Sequence, residues 1–146
     1  MKIRSLFCLM AGLVLAGSAL AEGSREVLVS GTTGKVQYQR GGQGDWLPIE
    51  SGQILSQSDV VKTGEDATCS LIFKGMSNTA VDVRPNSEMA LKTVVDSQSG
   101  DDTELDLAVG AVLVKAEKLK GDSAFEVRTP NSIVGIRGTE FEVKVD

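Results

Sequence analysis

The 146-residue chain contains no histidine. That removes the side chain most often used as a general base, and the commonest metal ligand. Cysteine is scarce as well, with only Cys8 and Cys69. Aromatic residues make up 4 %: one tryptophan, one tyrosine and four phenylalanines, one of them Phe7. Little surface is therefore on hand for stacking against sugar rings or bases. No serine-nucleophile elbow, phosphate-binding glycine loop or paired-cysteine metal motif occurs. Hydrolases built on two carboxylates need no histidine. The acids here, however, scatter over alternating positions, as on solvated strand faces. The composition points away from an enzyme and from a resident cofactor or metal.

Helical periodicity is also missing. Beyond residue 21 no segment has the length and i, i+3, i+4 apolar spacing of a solid helix, and only residues 113–119 are ambiguous. The one long apolar run, residues 6–15, follows Lys2 and Arg4 and precedes Ala19-Leu20-Ala21. Together these read as a signal peptide, residues 1–21, cleaved near Ala21. The run is too short to span a bilayer, so the mature chain is expected to have no transmembrane segment. No cysteine stands directly after the cleavage site to carry a lipid, and Cys8 leaves with the signal. Localisation is then periplasmic or secreted.

Residues 22–146 suffice for one domain with its own core. The 20 acids outnumber the 15 bases, giving a net charge of −5. Lys2 and Arg4 belong to the signal, so the mature domain is more acidic still. No nucleic-acid partner is expected of such a chain. Cys69 has no internal disulfide partner. Alternation in Ala-Thr-Cys-Ser-Leu-Ile-Phe places it with Leu71 and Phe73 on the apolar side, as a buried structural thiol.

What is abundant is strand signal at short spacing. Strands are expected at 27–30, 35–40, 46–49, 54–55, 60–61, 67–74, 80–84, 89–95, 104–109, 111–116 and 124–128. Glycines 41, 42 and 44 mark a hairpin turn, and Pro48 makes the returning strand short or places it at an edge. Residues 98–102 read as a polar, mobile loop. Pro85-Asn86-Ser87 and Pro130-Asn131-Ser132 form a weak internal echo that suggests repeated β units. Asp101, Asp102, Glu104 and Asp106 cluster as hard-oxygen calcium ligands do, but without the order of a calcium loop; the plainer reading is a charged loop and edge strand that resist aggregation. Trp46 reads as a packing residue.

The densest pattern lies at 129–143, T-P-N-S-I-V-G-I-R-G-T-E-F-E-V. Pro130 is read as starting a strand, and Asn131 and Ser132 as holding a turn. Gly135 and Gly138 bracket Ile136 and Arg137, marking a bulge or a close approach of backbones. Phe141, Val143 and Val145 alternate with charges as in a half-buried strand. The unit reads as strand, kink at Arg137-Gly138, strand. Arg137 is read as satisfying carbonyls and a carboxylate at the bend, with contact to an anion or partner as the alternative.

This stretch resembles the signature of the FecR domain family, through Thr129, Pro130, Ser132, Gly135, Ile136, Arg137, Gly138, Thr139 and Phe141. Upstream, Trp46, Gly52, Leu55, Asp59, Thr63, Gly64, Pro85, Asn86, Ser87, Gly110, Ala111 and Val112 follow the family's order. The resemblance implies an all-β domain of FecR type, short-stranded and solenoid-like or sandwich-like. It also implies envelope signalling or assembly through an envelope protein partner of unknown identity. The chain departs from the iron-uptake regulators of this type, since no cytoplasmic domain and no spanning helix after the signal are expected here. A non-enzymatic periplasmic module acting by protein–protein contact is the leading expectation; binding of an envelope glycan or small ligand is the alternative. The motif residues Thr129, Pro130, Gly135, Arg137, Gly138, Thr139 and Phe141 are expected to be structural, with partner contact as the second role.

Overall fold

Alternation of apolar and polar residues carries through into alternating burial along nearly every strand. The computed structural model describes residues 23–74, 79–97, 100–116, 124–136 and 139–145. Residues 1–22, Arg137 and Gly138 lie outside the described residues. Among the described residues there are thirteen strands: β1 (Gly23–Ser24), β2 (Val27–Thr33), β3 (Val36–Gln39), β4 (Leu47–Pro48), β5 (Ile54–Leu55), β6 (Val60–Thr63), β7 (Thr68–Phe73), β8 (Ala80–Val83), β9 (Glu88–Ser97), β10 (Gly100–Ala116), β11 (Ala124–Arg128), β12 (Ile133–Ile136) and β13 (Thr139–Val145). A 3-10 turn, Arg40–Gly42, joins β3 to the stretch before β4. The domain is all-β, as expected, with its strands in one curled, half-barrel sheet.

β10 is the spine. Its first half runs antiparallel to β9 and parallel to β11, from Asp102 opposite Ala124 to Asp106 opposite Arg128. Its second half, from Gly110, runs antiparallel to β8 and β13. β8 and β9 follow one another along β10 and then part company. β9 continues through β6 and β3 to β4, and β8 through β7 and β2 to β5. The sheet thus divides into two wings that curl toward each other and enclose one apolar core.

Both wings supply that core. Val61, Met89, Leu91, Leu105 and Leu107 come from one, and Val27, Val29, Leu71, Val81 and Val83 from the other, all fully buried. Phe73 on β7 meets Phe125 on β11 edge to face, with ring centroids 5.8 Å apart and planes at 78°. This is a preferred aromatic geometry, and it joins the two wings across the middle.

Turns with a left-handed third residue link the short strands. Ser58, Asp66 and Asn86 have φ of 74°, 56° and 55°, the pattern of type II turns. Each is followed by a buried residue, Asp59, Ala67 and Ser87. The sharp turn therefore drives the next side chain straight into the interior.

Four expectations change. Strands 104–109 and 111–116 are one strand, because Gly110 bends β10 without ending it. Within the polar stretch at 98–102, residues 100–102 belong to β10 and pair with β9, while 98 and 99 lie outside the described residues. Pro130 sits in the turn before β12 and does not start the strand. The echo at Pro85 and Pro130 does not mark equivalent units. Asn86 is left-handed and Ser87 buried, whereas Ser132 is exposed in a hairpin turn.

Candidate functional site

The motif pieces Thr63-Gly64, Pro85-Asn86-Ser87 and Gly110-Ala111 meet at the point where the wings part. Thr63, closing β6, is buried, and its hydroxyl donates to the Arg84 carbonyl at 2.6 Å and accepts from the Ser87 N–H at 3.0 Å. One hydroxyl thus bridges both ends of the turn at 84–87. Ser87 Oγ accepts from the Ala111 N–H at 3.0 Å and lies 3.2 Å from the Ala111 carbonyl. Asn86 N–H donates to the Gly64 carbonyl at 3.1 Å. Gly110, at φ 94°, lets β10 pass against Ser87. The T-G, P-N-S and G-A pieces, far apart in sequence, form a single hydrogen-bonded corner.

Asp59 anchors a second junction and is only 1 % exposed. Its carboxylate accepts the Gly41 N–H at 2.9 Å and the Ser56 N–H at 3.0 Å. Its carbonyl accepts the Leu91 N–H at 2.9 Å. A buried carboxylate held by backbone donors is an architectural device. It fastens the turn after β3 and the turn before β6 onto β9.

The 129–143 stretch is more open. Thr129 and Ser132 close the β11–β12 hairpin: Thr129 N–H donates to the Ser132 carbonyl at 2.9 Å, and Thr129 Oγ1 accepts the Ser132 N–H at 3.0 Å. Pro130 lies exposed in that turn. Gly135 pairs regularly opposite Glu126, and among the described residues no atom beyond its chain neighbours lies within 4 Å of where its Cβ would stand. It therefore marks neither a bulge nor a close approach. Thr139 opens β13 opposite Ala116. Arg137 and Gly138 lie outside the described residues.

Phe141 departs from the half-buried pattern. Val143 is buried and Val145 packs partly on the core, but Phe141 is 42 % exposed. Ile133, taken from sequence only as strand-forming bulk, is 58 % exposed. Both sit on strands with an open side. Among the described residues β12 pairs only with β11, and β13 only with β10. The sheet's other ends, β4 and β5, are two residues each, and β4 carries Pro48. β13 presents seven residues, with Glu140, Glu142 and Lys144 exposed along it. Charges on an edge deter indiscriminate pairing and leave room for a matched partner.

Other candidates are committed elsewhere. Trp46 has the Lys62 ammonium 5.3 Å from its ring centroid. Tyr38 is buried, with the Arg40 guanidinium 5.4 Å from its ring centroid. Cys69 is buried, and removal from water, reinforced by Asp82, pushes its thiol from an ordinary 9.0 up to about 12, which suppresses the thiolate. On the outer face, Asp102, Glu104 and Glu126 line an open hollow of about 250 Å³ with Thr93 and Ala124. Glu104 is paired with Arg128 at 3.0 Å. Among the described residues no three acids or thiols stand close enough together to hold a metal ion. The acids at 102, 104 and 106 form a charged strand face.

No helix among the described residues is long and apolar enough to cross a membrane. No curated protein and no solved structure shows significant similarity to the chain. The family model described as FecR protein matches residues 59–146, more than half of the chain. That span begins at the buried Asp59 and takes in the whole hydrogen-bonded corner, the β10 spine and the 129–143 stretch. The chain belongs to the FecR family.

Proposed function

We propose that the chain is a non-enzymatic module of the cell envelope that works by protein–protein contact. FecR family membership suggests a signalling-related domain. In this reading residues 1–21 direct export and are removed, and residues 22–146 act in the periplasm or outside the cell, in envelope signalling or assembly. One observation carries the contact role: β13 is a seven-residue edge strand, open on one side among the described residues, with Phe141 exposed along it. Strand addition to such an edge supplies backbone hydrogen bonds, and the side chains along it supply selectivity.

Capture from envelope extract with the wild-type chain and with F141E tests this. The wild type should retain a specific protein, and F141E should retain at least about tenfold less, since exposed aromatics commonly dominate contact energy. Melting temperature and circular dichroism of F141E should stay near wild type, because the ring is already partly in solvent. Equal capture by both would move the contact away from β13. No protein captured by either would remove the reading.

A further inference from the structure

We propose that the strand which adds to β13 alternates basic and apolar residues, with lysine or arginine opposite Glu140 and Glu142 and a β-branched residue between them opposite Phe141. This rests on the reading of β13 as a pairing edge and states the chemistry of its occupant.

Alternate side chains of β13 turn to opposite faces of the sheet. Phe141 lies opposite Val114 and Val143 opposite Val112 on β10, on the core side, while Glu140, Glu142 and Lys144 lie on the outer face. Glu140 and Glu142 are exposed, and among the described residues neither carboxylate has an ion-pair or hydrogen-bond partner. Two positions apart on one face, they stand roughly 7 Å from each other along the strand. The cations around them are committed elsewhere. Lys115, directly opposite Glu140 on β10, reaches the Asp82 carboxylate at 3.5 Å. Lys144 is engaged within the chain. The outer rim of this edge therefore presents two carboxylates with no cation bound to them.

A strand laid along β13 sets its residues face to face with those of the edge. The two opposite Glu140 and Glu142 lie on the outer face, and the one between them lies beside Phe141. Opposite charges directly across a strand pair stabilise it, and like charges destabilise it. Cations at the two outer positions are thus favoured, and acids there are rejected. Phe141 is 42 % exposed, and an aromatic ring beside a β-branched side chain is a favourable cross-strand pair. Charge on the whole chain acts in the same direction. At −5 it draws a basic segment in from a distance and holds an acidic one off.

Fluorescence anisotropy of the whole chain with labelled peptides tests the pairing. One peptide alternates lysine with valine, and a second alternates glutamate with valine. Wild type should bind the lysine peptide at least about tenfold more tightly than the glutamate peptide, and less tightly as salt rises. E140K/E142K should reverse that preference, with a melting temperature near wild type because both side chains are exposed. A third peptide, with the same lysines and valines gathered into separate blocks, should bind wild type about tenfold more weakly than the alternating one, since only alternation matches the two faces of the edge. Equal binding of the lysine and glutamate peptides, binding of neither, equal binding of the blocked peptide, or a preference that E140K/E142K leaves unchanged overturns the proposal. If the wild type then still captures an envelope protein that F141E does not, the contact role of β13 stands and the basic chemistry alone fails.

Discussion

Replacing Gly110 with alanine is expected to destabilise the fold by at least about 3 kcal/mol. A Cβ at this position would overlap Ser87 Oγ and stand 2.5 Å from the Ser87 Cα and 2.6 Å from its Cβ. The backbone also sits at φ 94°, where a side chain is strained regardless of space. The corner cannot give way cheaply, because Ser87 is tied to Ala111 and to Thr63. Removing the serine hydroxyl in S87A/G110A should therefore fail to rescue stability, since the overlap with Ser87 backbone persists. G135A is the matching control. Gly135 has open space around it, and alanine there should shift stability by about 0.5 kcal/mol or less. Urea denaturation of the three variants measures this. A G110A chain as stable as G135A would show that the corner does not hold the spine.

Phe73 to alanine is the second large effect, with an expected loss of roughly 3–5 kcal/mol. Phe73 is fully buried, and its ring packs edge to face on Phe125 of the opposite wing. Truncation leaves a cavity between the wings, where collapse is limited because each side is held by its own strand ladder. A double-mutant cycle with F125A should return a coupling of about 0.5–1.5 kcal/mol beyond the area each ring buries. A loss below about 1 kcal/mol for F73A would mean that the wings are not joined through this pair. Scarcity of aromatics sharpens the expectation, since few other rings exist to refill the space.

Much of the fold was legible because strand alternation is a local signal. The sequence Thr-Cys-Ser-Leu-Ile-Phe announced β7, and Cys69, Leu71 and Phe73 are all buried there. The hairpin returning at Leu47–Pro48 was equally plain from its glycines and proline. The spine was not legible. Gly110 reads locally as a breaker, and only its contact with Ser87, 23 positions back in sequence, shows that it lets a long strand bend. Gly135 erred in the other direction: the same residue type sits in an ordinary strand at an exposed edge. Neither glycine can be told from the other without the neighbour it faces.

The candidate site divides along the same line. Thr63, Gly64, Pro85, Asn86, Ser87 and Gly110 were visible as motif pieces, but their convergence is a product of tertiary pairing. Asp59 was visible only as a motif aspartate; its burial and its two backbone donors give it an architectural role. Exposure of Ile133 and Phe141 could not be read from alternation, which marks a face as apolar but not whether anything covers it. Openness of an edge depends on which strand lies beside it, and that is settled by the whole topology.

Amide hydrogen exchange along β13 tests the central claim most directly. Antiparallel pairing with β10 engages every second backbone amide of an edge strand and turns the rest outward. In dilute protein, alternate amides between residues 139 and 145 should exchange slowly, and those between them should exchange near the rate of an unprotected chain. Protection of the fast set should appear when a captured partner is added. Uniform slow exchange along β13 in the dilute, isolated chain would contradict the account, because the edge would then already be covered.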